Sequence, residues 1–238
     1  MIDALYILGN GSQCWNQELK YSLRSLDKYC PDVVNVYIAG ICPDFIDKYK
    51  VIWCDIQDVS NPRFNHWWKV SNTFKKHPEM SKEVVLMYDD IFFTKKTELT
   101  TYPYYYSGIL KAVNKENRYH LAKEKSHRFL NSIGESVLDF ENHCPIRYNR
   151  YKFRKMEDIF NGLKDDLVGL SVRSVYANMF ANRKEMVQQK DLKIRQPVVN
   201  LEQVIENRNC FSISADMFYG EVYEWLKKEF PERSKYEK

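Results

Sequence analysis

The sequence predicts an α/β fold with a mostly parallel central sheet. Three observations carry this expectation. Short apolar runs alternate with segments of helical spacing along residues 1–93, the order that builds parallel strands joined by right-handed helical crossovers. The run Val84-Val85-Leu86-Met87-Tyr88 is apolar throughout, as suits a strand covered on both faces. Turn residues punctuate the segments where such units reverse, as in Gly9-Asn10-Gly11-Ser12 and at Pro31.

Residues 3–8 form the first strand, closed by the 9–12 turn. Over 16–29, Leu19, Leu23 and Leu26 recur at helical spacing, and Pro31 stops the helix. Strands are expected at 33–38 and 50–54, a helix at 66–76 ending before Pro78, and a central strand at 84–88. Residues 94–106 carry Tyr102-Pro103-Tyr104-Tyr105-Tyr106 and read as a loop or lid. Helical patterns follow near 151–165, 168–184 and 221–229, and 211–216 reads as an apolar strand ending in a carboxylate. With no internal repeat, low-complexity tract or linker, one unit over 1–238 is expected.

A chain of 238 residues can bury a sizeable core. Its 44% apolar and 29% charged composition sets it apart from disordered chains, and a net charge of +4 is too mild to name a nucleic acid or a membrane as partner. No apolar run approaches the roughly 20 residues that span a bilayer. The opening residues lack the pattern of a signal peptide. The six cysteines form no CxxC pair and read as reduced thiols, so a cytoplasmic location is expected.

In parallel sheets, ligands bind beyond the carboxyl ends of the strands. Three polar groupings fall at that edge: the 9–12 turn, Asn65 with Lys69, and Asp89-Asp90. Two adjacent carboxylates at the end of a buried strand need a cation or donors to compensate them. A Mg²⁺ or Mn²⁺ ion bound there would neutralise a diphosphate leaving group, although Asp residues also simply cap turns. His143, fixed by the nearby Pro145, has the ordinary pKa suited to taking a proton from a hydroxyl; a lone His is also commonly structural. Arg173 could grip a phosphate with its planar fork or form a surface ion pair. Asp216 could join a metal site or cap the next helix. His66, His77, His120 and His127 look unremarkable, and the basic stretches Lys95-Lys96 and 147–155 read as solvated faces.

Taken together, these residues resemble the Stealth proteins, which include bacterial capsule sugar-phosphate polymerases and the catalytic subunit of the lysosomal-enzyme N-acetylglucosamine-1-phosphotransferase. Four ordered blocks carry the resemblance. The first is 6–12. The second starts with Glu18-Leu19-Lys20-Tyr21-Ser22-Leu23-Arg24-Ser25-Leu26, continues through Phe64-Asn65 and ends at Met87-Tyr88-Asp89-Asp90-Ile91-Phe92-Phe93. The third is His143-Cys144-Pro145 with Val172-Arg173-Ser174. The fourth is 211–216 with Phe230-Pro231-Glu232-Arg233-Ser234-Lys235-Tyr236-Glu237. Asn10 stands where the family has Asp, and Ala215 where it has Asn.

The resemblance implies a GT-A-like, Rossmann-like nucleotide-sugar transferase fold, with 1–93 as the nucleotide-binding half and 94–238 as the acceptor and catalytic half. It implies a nucleotide-diphosphate sugar, UDP-linked, as donor and a divalent metal held by Asp89, Asp90 and Asp216. It implies catalysis by His143, Arg173 and Asp90, and nucleotide contacts from Asn10, Gly11, Ser12, Arg24, Asn65 and Lys69. Either a sugar phosphate or a sugar would pass to an acceptor hydroxyl on a glycan or a nucleic acid. A non-catalytic carbohydrate- or nucleotide-binding domain is the competing expectation, favoured by Asn10 and Ala215. Tyr104 and Tyr105 are expected either to cover the acceptor or to pack against the helices of the second half.

Overall fold

The computed structural model describes residues 1–9, 12–59, 61–111 and 117–238, with the backbone alone described for Pro62 and Arg63. The chain begins with β1 (Ile2–Leu8), α1 (Gln17–Tyr29), β2 (Val33–Gly40), β3 (Ile52–Cys54), α2 (Pro62–Lys76) and β4 (Glu83–Met87). It continues with β5 (Ile91–Phe93), β6 (Tyr104–Tyr106), α3 (Arg118–Ser132) and β7 (Ile146–Asn149). Then follow α4 (Arg150–Arg154), α5 (Glu157–Asn161), α6 (Val172–Phe180), β8 (Met186–Gln188) and β9 (Lys193–Ile194). The C-terminal elements are α7 (Leu201–Ile205), β10 (Cys210–Ile213) and α8 (Gly220–Glu229).

The main sheet has the order β3-β2-β1-β4-β7. Its first four strands run parallel, and β7 closes the edge antiparallel to β4. Side chains alternate across the sheet, as a period of two demands. Val84 and Leu86 of β4 join Trp67, Val70 and Phe74 of α2 on one face, while Val85 and Met87 join Leu19, Leu23 and Leu26 of α1 on the other. The central, doubly covered strand expected at 84–88 is therefore present. Two smaller sheets, β5-β10-β9 and β6-β8, complete the fold. β5 lies along α1, where Ser22 Oγ donates to the Ile91 carbonyl at 2.7 Å and Ser25 Oγ accepts from the Phe93 amide at 3.1 Å.

Several expectations change. The helix expected over 168–184 is confined to Val172–Phe180, because Gly169 sits at φ +65°, in the left-handed region that starts no helix. The helical pattern over 151–165 is split into α4 and α5. The basic stretch 147–155 is not simply a solvated face. Arg147 is buried in β7, donating to the carbonyls of Tyr102 and Thr100 at 2.8 Å each and pairing with Glu185. A guanidinium whose donors are this well matched can be buried where an unpaired one could not.

The tyrosine-rich segment is a strand, not a lid. β6 pairs in parallel with β8, and Tyr102 and Tyr104 are buried. Tyr104 lies 5.0 Å beneath the Arg147 guanidinium, and the Tyr102 hydroxyl meets Cys210 Sγ at 3.3 Å. Tyr104→Ala is accordingly expected to cost about 3–5 kcal/mol of stability, lowering Tm by roughly 10 °C in calorimetry. An unchanged Tm would return this segment to the surface.

Candidate active site

Where the parallel strands β1 and β4 end, their carboxyl edges and α1 surround a cavity of about 270 Å³. Asp89, Asp90, Glu18, Ser12 and Gly9 line it. Asp89 and Asp90 occupy the tight turn between β4 and β5, closed by the Ile91 amide donating to the Tyr88 carbonyl at 3.4 Å. The turn follows from its sequence: a strand buried on both faces must end where two charges arrive in succession.

The two carboxylates have different surroundings. Asp90 Oδ2 accepts from Lys193 Nζ at 3.0 Å, and its Oδ1 lies 3.3 Å from His143 Nδ1. That second contact has the distance of an ion pair without the alignment of a hydrogen bond, so both atoms are buried and unmatched. Catalytic contacts commonly tighten only when substrate arrives. Burial raises the Asp90 carboxyl, and Lys193 opposes the rise. Asp89 has no ion pair among the described residues. Burial, then the charges of Asp90 and Glu18, push its carboxyl from 3.8 up to about 7.

This shift has a signed consequence. An acid whose pKa is higher in the folded than in the unfolded state stabilises the fold at low pH. That contribution is lost as pH rises through about 7. Asp89→Asn cannot ionise. The metal-free variant is therefore expected to be more stable than wild type at pH 8, with the advantage narrowing by up to about 3 kcal/mol towards pH 5. Chemical denaturation at the two pH values reads this out, and a difference independent of pH would show that Asp89 titrates normally.

His143 is carried by the 140–145 segment. Its amide donates to Asp191 Oδ2 at 2.8 Å, and its ring stacks on Tyr88 at 4.7 Å. Burial, then the positive charges of Lys193, Arg173 and Arg195, hold its pKa well below the ordinary histidine value. The imidazole is thus neutral at physiological pH and able to accept a proton. His143 also lines a polar pocket of about 20 Å³ with Cys144, Cys210, Asp191 and Arg208, space for about one water.

The other sequence-predicted residues divide. Ser12 lines the cavity, donating to Glu18 Oε1 at 2.5 Å and accepting from the Asn16 amide at 2.9 Å. Asn10 and Gly11 lie outside the described residues. Lys69 reaches the end of β1, but its ammonium is engaged by the Leu8 carbonyl and by Asp58 Oδ1 at 2.6 Å. Gly40, at φ +117°, makes room for this contact, since a Cβ there would stand 2.0 Å from the Leu8 carbonyl oxygen. Asn65 holds the preceding loop, accepting from the Val59 amide at 2.7 Å. Neither Lys69 nor Asn65 is part of the cavity wall.

Arg173, Arg24 and Asp216 stand elsewhere. Arg173 is 3% exposed and donates to the carbonyls of Phe140 at 3.0 Å and Cys144 at 2.8 Å, with its guanidinium 5.5 Å from the Tyr88 ring centre. It fastens the segment that bears His143 from behind. Arg24 pairs bidentately with Glu237 at 2.8 Å and donates to the Phe230 carbonyl, which ties the C-terminal segment to α1. Asp216 is exposed and faces a different depression, with Gln196, Pro197 and Tyr219. β10 ends at Ile213, and the 3-10 turn Ala215–Met217 carries Asp216 outward while Ala215 lines the carboxylate cavity.

Sequence reasoning missed Lys193, Asp191 and Glu18 as site residues. Each meets the acidic pair or His143 only in space, so spacing along the chain gave no signal. It also missed the turn before α1, where Trp15 and Asn16 both have φ +57° and Trp15 is 86% exposed. A bulky residue in that region is strained, and such strain concentrates at functional sites.

A hard divalent cation fits this chemistry. Glu18, Asp89 and Asp90 line the cavity, and one oxygen of Glu18, Oε2, is buried without a hydrogen-bond partner. Among the described residues no three His, Cys, Asp or Glu side chains converge to form a complete ligand set. Mg²⁺ commonly takes one or two carboxylates and completes its shell with water and substrate phosphate.

Comparison with known proteins identifies the fold. No protein-family profile matches this chain, and no curated protein matches it in sequence. Among solved structures, the galactosyltransferase LgtC in complex with donor and acceptor sugar analogs is similar over 98% of this chain and 98% of its own, at 10% identity and a TM-score of 0.50. A glycosyltransferase involved in the glycosylation of the major capsid of PBCV-1 is similar over 97% of this chain and 99% of its own, at 9% identity and a TM-score of 0.46. The chain has the α/β, GT-A-like fold with a mostly parallel central sheet.

Proposed function

We propose that this chain is a nucleotide-sugar-dependent glycosyltransferase that moves a sugar from a nucleoside-diphosphate donor, UDP-linked, to an acceptor hydroxyl on a glycan. One observation carries the reading. A carboxylate-lined cavity opens where parallel strands β1 and β4 end, with a neutral histidine 3.3 Å from one of the carboxylates. Ligands of open α/β sheets bind at that edge, and the likeness to the GT-A-like fold of a galactosyltransferase covers 98% of the chain.

In this reading Asp89, with Asp90 beside it, holds a Mg²⁺ or Mn²⁺ ion, which when bound would neutralise charge on the departing diphosphate. The remaining steps belong to the protein. His143 has Nδ1 beside Asp90, which leaves Nε2 to take the proton of the attacking hydroxyl. Asp90 then stabilises the imidazolium so formed, as a carboxylate beside a catalytic histidine does. Lys193, at 3.0 Å, favours the ionised form of Asp90 against the burial that opposes it. Arg173 and Tyr88 fix the height and tilt of the ring.

A second reading, transfer of the sugar phosphate, rests on the resemblance of four sequence blocks to the Stealth proteins. There the hydroxyl attacks the β-phosphorus and a nucleoside monophosphate leaves. A panel of nucleotide sugars with Mg²⁺ or Mn²⁺ and mixed glycan and nucleic-acid acceptors separates the two. Release of nucleoside diphosphate supports glycosyl transfer, monophosphate supports sugar-phosphate transfer, and release of neither across the panel contradicts both. No helix among the described residues is long and apolar enough to cross a membrane.

A further inference from the structure

We infer that Glu18, the second residue of α1, is a ligand of the divalent cation, binding through Oε2 with Asp89 opposite. The inference rests on the donor-site reading above and extends it to a residue outside the acidic pair. A glutamate in a first helical turn ordinarily serves the helix, facing the unpaired amides and the positive end of the dipole. One oxygen of Glu18 has a local task of that kind, since Oε1 accepts from the Ser12 hydroxyl that anchors the turn into α1. The other does not. Oε2 is buried without any hydrogen-bond partner, on a residue only 7% exposed.

Both Glu18 and Asp89 line the cavity, and among the described residues no ion pair reaches either one. Asp90 differs, because Lys193 compensates it at 3.0 Å. An unmatched buried carboxylate beside a second one is costly unless a cation or donor joins them. The cavity has room for the ion together with diphosphate oxygens and water. Glu18 and Asp89 then supply the two protein ligands, and Asp90 is kept by Lys193 for His143. This division explains why a lysine can sit against one member of an acidic pair without emptying the site of negative charge.

The test is Mn²⁺ binding to the intact chain, followed by electron paramagnetic resonance, with and without UDP. Glu18→Gln keeps the acceptor for Ser12 and removes only the charge. It is expected to weaken Mn²⁺ at least tenfold, as Asp89→Asn does, while Glu224→Gln on the surface of α8 leaves binding unchanged. A second measurement needs no variant. Iron-directed backbone cleavage of the wild-type chain with Fe²⁺ and ascorbate is expected both at the Asp89-Asp90 turn and around Glu18. If Glu18→Gln binds Mn²⁺ as wild type does while Asp89→Asn does not, or if cleavage spares the region of Glu18, the inference is overturned and the donor site stands. If the wild type binds UDP but no Mn²⁺, the inference also fails. If it binds neither, the donor-site reading itself has failed.

Discussion

Replacing Asp90 with asparagine is expected to reduce turnover by on the order of 10³–10⁴-fold while leaving the fold intact. The side chains are nearly isosteric, and Asp90 sits in a turn beyond the end of β4, outside the packed faces of the sheet. What changes is charge. Lys193 Nζ, 3.0 Å from Oδ2, loses its counter-ion, and the imidazolium of His143 has no anion beside it when the proton arrives. Turnover measured with saturating donor, next to circular dichroism and Tm, separates this from unfolding. Excess chelator on the wild type should have a comparable effect on turnover. Near-wild-type activity in Asp90→Asn would remove the carboxylate from the mechanism.

The second large effect is expected at His143. His143→Ala should lower turnover by on the order of 10²–10⁴-fold with donor affinity little changed, because the ring lies beside Asp90 and does not itself line the carboxylate cavity. The pH dependence gives a further check. The His143 pKa lies well below the ordinary value, so its base form persists through neutral and mildly acidic pH. Asp89, at about 7, is the group that titrates near neutrality. In the metal-free chain the affinity for Mn²⁺ should therefore fall as pH drops through about 7, where protons compete with the cation for Asp89. The histidine limb of activity should appear only at acidic values. Stability runs the same way for His143: a base depressed in the folded state contributes fully above its unfolded pKa and loses that contribution as pH falls through its folded one. If His143→Ala abolishes donor binding while bound substrate turns over normally, the histidine is a binding group.

Much of the sheet was legible because its strands obey simple periods. The run 84–88 is apolar enough to be covered on both faces, 3–8 and 33–38 are short and mostly apolar, and the leucines at 19, 23 and 26 place α1 without ambiguity. The carboxylate turn was legible for the same reason, since charge cannot continue a doubly covered strand. The second half was harder to read. The stripe of α3 that packs inward is Ala122, Ser126 and Leu130, too small and polar to announce a helix. In sequence Arg147 reads as a solvated cation and Arg173 as a phosphate grip or a surface ion pair. Yet backbone carbonyls of distant segments hold both in the interior, with Glu185 also pairing Arg147 and Nη1 of Arg173 left unmatched.

The candidate site was read one residue at a time, and that is where spacing fell short. Asp89, Asp90 and His143 come together as expected, whereas Asp216 does not join them, because β10 stops three residues earlier and the chain turns outward. Arg24 carries a charge suited to phosphate, but Glu237 holds it at the C-terminal segment. The partners that define the acidic pair, Lys193 on β9 and Glu18 on α1, are set by the packing of β9 beside β10 and by the turn before α1. No local pattern in the sequence encodes either contact.

The donor's diphosphate is expected beside Asp89, and a crystal structure with Mn²⁺ and UDP tests this most directly. The anomalous signal of manganese should fall in the cavity between β1 and β4, within ligand distance of the Asp89 carboxylate, with the diphosphate beside it. Manganese and nucleotide found instead against Asp216 and Gln196, or against Arg24 and Pro231, would contradict it.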